Sequence, residues 1–436
     1  MNKRKIAVLL MLWILPFAGV AQNGLNSPYT RYGLGEIYTK RNASTFGMGG
    51  ISAGLRSPLI VNTSNPASLT AIDSKAFLFD VGMAGVYSQL TAPDFAHETG
   101  MFSLSGMSFA FPISKCWFSS LSLQPYSRMS YDISEQDSLD DGTNLGRTYS
   151  GSGGLNIFSF SNAFKLGKYF SVAGKISYLF GSLDLARELQ FPSSSHYFSL
   201  AKQEKNFVGG ISCEFGFQAH IDLKEKYFVN AGATFSNQQN IRSLYSVTSL
   251  RYDYLSDINK VIKDTIEFEE DQKGTMVLPL SFNAGFTAGI KDKLLFGVDF
   301  SQTAWEDFVL FEGSDSMQNS SRISVGIEYV PNVIPQSSKS AVGKYLRKMH
   351  YTAGFHIENG YFSFGNEQMQ ETGISFGLGL PVARFPKYIR RDSFIYLGVQ
   401  TGKKGTSNEI NLSEKYIRFT IGFTLYSNWF IRPKFD

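Results

Sequence analysis

Residues 415–430 constrain the fold of this chain more than any other stretch of its sequence. Apolar side chains alternate there with polar or small ones at a period of two, which is the period of a β-strand with one apolar face. The run is about as long as a tilted strand needs to cross a bilayer, and it ends on aromatic side chains, as strands at a membrane interface do. We interpret it as the closing strand of a transmembrane β-barrel. The apolar positions are Ile417, Phe419, Ile421, Phe423 and Leu425.

The composition fits a barrel better than a helical membrane protein or a typical soluble protein. Hydrophobic residues make up 43% of the 436 residues and charged residues 18%, and that charged share is low for a soluble protein. After residue 22, no stretch approaches the roughly 20 consecutive apolar residues of a spanning helix. The formal net charge of +4 is small for this length, so we expect no nucleic-acid partner.

The same alternation recurs from residue 75 onward, giving about 14 candidate strands, an even number as in bacterial barrels. Tight charged turns alternate with long polar segments, as periplasmic turns alternate with extracellular loops. The predicted fold is all-β: a transmembrane antiparallel β-barrel over residues 74–436. The long outward segments are 131–146, 185–205, 240–274 and 302–319, while two long segments count as periplasmic, 331–348 and 381–392. The first of these two can form a short amphipathic helix.

The N-terminus has the three parts of a secretory signal. Lys3, Arg4 and Lys5 form a charged region, an apolar run follows, and small residues precede a cleavage site after Ala21. We predict a signal peptide over residues 1–21 and a mature chain in the outer membrane of a Gram-negative cell. No cysteine follows the cut, so we do not expect a lipid-anchored lipoprotein.

Residues 22–73 differ from the strands that follow, because they contain glycine pairs, an Asn-Pro turn and scattered apolar residues but no long alternating run. A disordered tail would hold fewer apolar residues. We therefore predict a compact N-terminal plug, or hatch, inside the lumen of the barrel. Its key residues are Gly47, Gly49, Gly50, Asn65, Pro66 and Ala67.

Strand parity places charged and imidazole side chains on the inner face of the barrel. One interpretation is a polar conduit or a catalytic constellation, and the other is a network of ion pairs that holds the plug. We favour the network, because both signs are interspersed and no triad spacing emerges. We predict no catalytic residue, metal site, cofactor or disulfide. The inward residues are Asp80, Arg128, Lys175, Glu214, His220, Asp299, Arg322, Glu328, His356, Glu358 and Arg418.

Pro125 lies within the third predicted strand. Proline cannot donate a hydrogen bond to a neighbouring strand, so it marks an edge, a bulge or a break. A break in the wall of a closed barrel would open a lateral window, and we name Gln124, Pro125 and Tyr126 as the candidate lateral gate. The alternative is that Pro125 simply ends its strand near the outer rim.

Several short motifs resemble the long-chain fatty acid transporter (FadL-like) family of outer-membrane barrels. They are Asn65-Pro66-Ala67 before the strands and, for the Bacteroidota branch of that family, Ser27-Pro28-Tyr29, Tyr32-Gly33-Leu34-Gly35 and the Trp429-Phe430 ending followed by Arg432-Pro433-Lys434. The resemblance implies an N-terminal hatch and a kinked third strand that opens a side gate. It also implies uptake of hydrophobic molecules, although some Bacteroidota relatives serve protein secretion or outer-membrane assembly instead.

Two functions therefore stay open at the level of sequence. The first is an outer-membrane channel that takes up fatty-acid-like molecules by plug movement and releases them sideways, with a pocket near Phe118, Tyr126 and Leu179. Its partners would be hydrophobic small molecules and outer-membrane lipid. The second is a barrel subunit or shuttle of an outer-membrane secretion or assembly machine with periplasmic or outer-membrane protein partners, which the segments 331–348 and 381–392 fit better. A lipid-handling enzyme is the least favoured reading, because no triad emerges.

Overall fold

The structure is a computed structural model, and the predicted signal peptide lies outside the part of the chain that it describes. So do the residues after Trp429 and parts of the two long periplasmic segments. The described residues are 27–38, 42–92, 95–192, 195–224, 226–254, 260–311, 317–331, 341–364, 367–382, 391–405 and 413–429.

The described chain is dominated by β-strands, with a few short helices. The helices are the 3-10 turns Pro28–Arg31, Pro66–Ala71 and Trp305–Asp307, and the α-helices α1 (Ala43–Phe46) and α2 (Ala341–Leu346). None of these described helices has the length and apolarity required to span a membrane. The strands are β1 Glu36–Ile37, β2 Ala76–Ala92, β3 Phe95–Pro112, β4 Trp117–Ser138, β5 Asn144–Leu166, β6 Phe170–Gln190, β7 Ser199–Leu223, β8 Tyr227–Ser236, β9 Gln239–Tyr254, β10 Lys260–Leu278, β11 Ser281–Ile290, β12 Leu294–Thr303, β13 Val309–Leu310, β14 Ser320–Tyr329, β15 His350–Phe364, β16 Glu367–Val382, β17 Ser393–Gly405 and β18 Ser413–Asn428.

The strands form one closed antiparallel barrel of fourteen wall strands, as predicted. The predicted closing strand β18 pairs with β2 along its whole length, from Ser413 opposite Thr91 to Asn428 opposite Ala76. Segments β8 and β9 follow each other in one wall strand, and so do β10 and β11. The two-residue segments β1 and β13 are additions to this ring.

The two faces of the wall follow the predicted parity. In β16, for example, the outward Phe376 is 59% exposed while the inward Ser375 is fully buried. A lipid-facing wall needs apolar side chains outside, because the hydrocarbon offers no hydrogen-bond partners. The faces of β3 could not be assigned from sequence, and a bulge explains why: Gly82 pairs with Gly106 and Met83 with Leu104, so the extra Ser105 reverses the parity.

The predicted long loops are shorter than expected at three places. Strands β4 to β7, β9 and β10 continue into the segments 131–146, 185–205 and 240–274, so the loop prediction is wrong there. Alternation of apolar and polar residues is weak in these extensions because both faces meet water, yet the backbone ladder continues. At the opposite rim, helix α2 forms within the segment 331–348, as the sequence indicates.

Candidate functional site

The ladder between the neighbouring wall strands β3 and β4 is short compared with the length of both strands. Their shared ladder runs only from Met107 opposite Leu123 to Pro112 opposite Phe118, and we call its end at Leu123 the β3–β4 discontinuity. Beyond Leu123, β4 keeps its ladder with β5, with a register shift between Pro125 and Ser127 that leaves Tyr126 as the extra residue. Because β4 continues to Ser138, the interpretation that Pro125 ends its strand is wrong.

The N-terminal segment, residues 27–72, contacts the β4 edge where β3 leaves it. Glu36 and Ile37 pair with Arg128 and Ser127, and the Tyr38 amide donates to the Tyr126 carbonyl at 2.9 Å. Gly35 makes this approach possible, because its φ is +82° and a Cβ there would lie 2.2 Å from the Arg128 carbonyl oxygen.

The same contact extends in both directions along the segment. The Ser27 amide donates to the Ser130 carbonyl at 3.1 Å. On the other side of the discontinuity, the Tyr38 hydroxyl lies 4.0 Å from the Met101 sulfur of β3. The backbone of residues 36–38 therefore pairs with β4, while the side chain of Tyr38 reaches β3.

A cavity of about 390 Å³ lies behind this discontinuity, within the usual size range of ligand pockets. Residues of β3, β4 and the N-terminal segment form its near wall, including Gln124, Pro125 and Tyr126. Serines and ion pairs supply much of the opposite wall, whereas aromatic side chains such as Trp305 and Phe362 supply apolar surface. The cavity can therefore accommodate a molecule with both polar and apolar parts.

Buried ion pairs connect the barrel wall to the N-terminal segment. Lys175 Nζ lies 2.6 Å from Glu214 Oε1 and also donates to the Thr63 carbonyl at 3.2 Å. Arg322 donates from Nη1 to Glu358 Oε2 at 2.5 Å and from Nη2 to the Gly49 carbonyl at 3.1 Å. These contacts confirm the predicted ion-pair network, because each charge is satisfied by an opposite charge and by backbone.

Two further inward residues complete the network. Asp299 Oδ2 accepts from the amides of Ser52 and Ala53, at 2.5 and 2.7 Å. Arg418 donates to Glu371 at 2.5 Å and to Glu36 at 3.1 Å, so it holds the strand β1 that lies on β4. The sequence analysis missed Glu371, although it shares the inward parity of Ser375 on the same strand.

His356 is an internal member of this network. It is fully buried, and its Nε2 lies 3.2 Å from Glu371 Oε1 while its Nδ1 lies 3.2 Å from Gln400 Nε2. Among the described residues, no group of three or more His, Cys, Asp or Glu side chains could hold a metal ion. Cys116 and Cys213 are both free.

The predicted plug residues lie at close contacts between the N-terminal segment and the wall. Asn65 accepts from the Ala67 amide at 3.2 Å, which caps the 3-10 turn Pro66–Ala71, and its Nδ2 donates to the Phe217 carbonyl at 3.1 Å. A Cβ on Gly47 would lie 2.2 Å from Thr352 Oγ1, and Gly49 and Gly50 both have positive φ angles. Close approach of two backbones therefore explains these residue types.

A half-buried cation also fixes this segment to β7. Arg56 donates from Nη1 to Thr70 at 2.8 Å and to Gln218 at 3.1 Å. Burial lowers the pKa of its guanidinium to about 10, so the group still carries its charge at neutral pH.

The three predicted pocket residues fall into two groups. Tyr126 lines the cavity and packs against an apolar cluster that contains the buried Leu179. Phe118 belongs to a different cluster, where it packs with Leu69 and Ile72 of the N-terminal segment. Neither Phe118 nor Leu179 lines the cavity. Sequence reasoning missed Glu36 to Tyr38, although an extended Glu-Ile-Tyr after two glycines fits a short strand.

Comparisons with known proteins place this geometry in context. The protein-family model described as BamG matches residues 1–436. No curated protein matches the chain. Among solved structures, the chain is similar to a Pseudomonas aeruginosa FadL homologue, with 12% identity and a TM-score of 0.56 over 90% of this chain and 99% of that chain.

Two toluene transporters show the same similarity of fold. TodX of Pseudomonas putida shares 13% identity with a TM-score of 0.54, over 90% of this chain and 98% of that one. TbuX of Ralstonia pickettii shares 11% with a TM-score of 0.53, over 88% and 97%. At these identities the likeness concerns the fold, so the predicted FadL-like barrel is confirmed, while the Bacteroidota assignment stays a prediction.

Gly354 tests the close packing of the N-terminal segment. A Cβ at this position would lie 2.1 Å from the Gly49 nitrogen, so we expect Gly354→Ala to cost about 1–3 kcal/mol of stability by overpacking. Limited proteolysis should then cut residues 27–72 faster, and urea unfolding should shift to lower concentration. In the control Gly174→Ala a Cβ meets nothing within 4 Å; an equal effect of both variants would contradict the close contact.

The pair Lys175–Glu214 tests whether the interior depends on matched charges. Lys175→Met leaves the Glu214 carboxylate buried without its cation, so we expect a loss of about 3–5 kcal/mol in urea unfolding in detergent micelles. The double variant Lys175→Met/Glu214→Met should lose less than Lys175→Met alone. Additive losses in the double variant would mean that the two charges act independently.

Proposed function

The chain belongs to the BamG family, and from that premise we propose that it is a barrel subunit of an outer-membrane protein assembly machine. The matching family model has a different name from the transporter family that the short motifs resemble. The assignment therefore favours the second of the two functions that the sequence leaves open. The proposal keeps the division into signal peptide 1–21, plug 22–73 and barrel 74–436, in the outer membrane of a Gram-negative cell.

The observation that carries this proposal is the number of buried contacts that tie the N-terminal segment to the wall. Asp299, Arg322, Lys175 and Arg418 each bind it from a different part of the barrel. Opening a path through the lumen would break these hydrogen bonds and would leave the buried Asp299 carboxylate without the Ser52 and Ala53 amides, which is costly. A barrel filled in this way is suited to present a rigid surface to protein partners.

Helix α2 supplies a candidate surface for such a partner. Val342 is 67% exposed, and Tyr345 and Leu346 on the same helical face are also exposed. The helix lies between β14 and β15 at the rim of the tight turns, since Val330 donates to the Lys293 carbonyl there. By the rule that short turns face the periplasm, this apolar face is available to a periplasmic partner.

The partner role predicts a specific loss on changing that face. Val342→Ser combined with Leu346→Ser removes the exposed apolar contact, so we expect about a tenfold drop in co-purified protein. The measurement is quantitative mass spectrometry of proteins that co-purify with the tagged full-length chain after gentle solubilisation. Lys344→Ser, on the opposite face of the same helix, is the control. Purification of wild-type protein without any outer-membrane or periplasmic partner would contradict the proposed function.

Uptake of hydrophobic molecules is the second candidate, and the cavity behind the β3–β4 discontinuity is the observation that favours it. The solved structures with a fold similar to that of this chain include two toluene transporters. Here the N-terminal segment would act as a plug, a ligand would bind near Tyr126 and Leu179, and release would follow past Gln124 and Pro125. Phe118 would then pack against Leu69 and Ile72 of the plug instead of contacting the ligand.

Uptake requires residues 36–38 to leave the β4 edge, which gives a direct test. We expect oxidised Ile37→Cys/Ser127→Cys protein, in a background without Cys116 and Cys213, to take up labelled fatty acid into liposomes more slowly than the reduced protein. Pro125→Val should also slow uptake if the break is the exit. The control pair Ile374→Cys/Thr401→Cys bridges two strands elsewhere in the wall. Equal rates in all variants would rule out lateral release.

A further inference from the structure

The β4 edge between Tyr126 and Ser130 lies where the wall of the barrel lacks a full-length neighbouring strand. The ladder between β3 and β4 ends at Met107 opposite Leu123, although both strands continue beyond that point. Unpaired backbone groups are expensive at membrane depth, so an edge of this kind needs a partner.

The N-terminal segment meets this need over only a few residues. Strand pairing covers Glu36 and Ile37, and the Tyr38 amide adds one hydrogen bond. Before Gly35, the chain leaves the β4 ladder, because the Tyr361 hydroxyl of β15 binds the Gly35 carbonyl and Tyr32 stacks on Phe362 at 5.4 Å. It hydrogen-bonds to the β4 edge again at Ser130, through Ser27 and Thr30. The segment thus occupies the place of a strand without running along the edge as a wall strand does.

We propose that the β4 edge from Tyr126 to Ser130 is a docking site for a transmembrane β-strand of another polypeptide, which takes the place of residues 36–38 and of the Ser27 and Thr30 contacts at Ser130. The inference rests on the proposed role in assembly of outer-membrane proteins. Strand addition to an exposed sheet edge is a general mode of peptide recognition, in which main-chain hydrogen bonds give the affinity.

The surroundings of the edge define the chemistry of the incoming strand. The neighbouring strands cross the membrane, and on β3 Leu104 faces outward with 40% of its surface exposed. On the inner side, the cavity lining next to the edge includes Ser103 and Ser105 of β3 and Ser122 of β4. A strand with apolar side chains outward and small or polar side chains inward continues both surfaces, and this is the pattern of outer-membrane barrel strands.

The exchange is possible because residues 36–38 have few contacts with the edge. Their hold depends on the short ladder to β4, the Arg418–Glu36 ion pair at 3.1 Å and the contact of Tyr38 with Met101. An incoming strand that runs from Gln124 to Ser130 would form a longer ladder with the same edge.

A photo-crosslinking experiment on the full-length chain in lipid nanodiscs tests this site. The probe is a synthetic peptide with the sequence of residues 413–429, which has the required alternation, carrying a photoreactive group in place of Phe419. We expect cross-links that map to residues 124–130 in reduced Ile37→Cys/Ser127→Cys protein, and about tenfold fewer after oxidation. The Ile374→Cys/Thr401→Cys pair should show no redox effect, and heat-modifiable migration on gels confirms folding.

Gly35→Ala should have the effect opposite to oxidation of the cysteine pair. Its Cβ would collide with the Arg128 carbonyl and weaken the pairing of residues 36–38 with β4. We expect this variant to cross-link more peptide than wild type. Absence of cross-links in the reduced protein, equal cross-linking after oxidation, or cross-links spread over the outer wall would each overturn the proposal. If the redox-dependent cross-link appears but no partner protein co-purifies with wild type, the strand site stands and the assembly role fails.

Discussion

The need to pair every backbone amide and carbonyl within the membrane governs this structure. A closed antiparallel ring satisfies that need without help from water, and β18 on β2 completes it. Between β3 and β4 the ladder stops at Met107 opposite Leu123, and residues 36–38 pair with the β4 edge beyond that point. The N-terminal segment is therefore part of the wall as well as part of the interior.

Burial of charge explains how that segment is held. Lysine, arginine and carboxylate side chains inside the barrel are separated from bulk water, so each requires an opposite charge or a backbone dipole. Lys175 and Arg322 use a carboxylate on a neighbouring strand and a carbonyl of the N-terminal segment. Interior charge thus couples the wall to the segment.

Much of the fold could be predicted from sequence, because the period of two reports directly on which side chains face lipid. The period of two failed as a guide where strand residues do not alternate between lipid and the barrel interior. The extra Ser105 reversed parity within β3, and the strand extensions beyond the membrane face water on both sides. The site was only partly predictable. Pro125 indicated a break in the wall, but a single proline does not reveal that Glu36 and Ile37 pair with the β4 edge beside that break.

Hydrogen–deuterium exchange at the Tyr38 amide, measured on the full-length chain in lipid nanodiscs, tests most directly whether the N-terminal segment completes the wall. This amide donates to the Tyr126 carbonyl in the structure. A completed wall predicts exchange as slow as in the paired core of β18. Exchange as fast as in the tight turn 291–293 would contradict it, because residues 36–38 would then not be paired with β4.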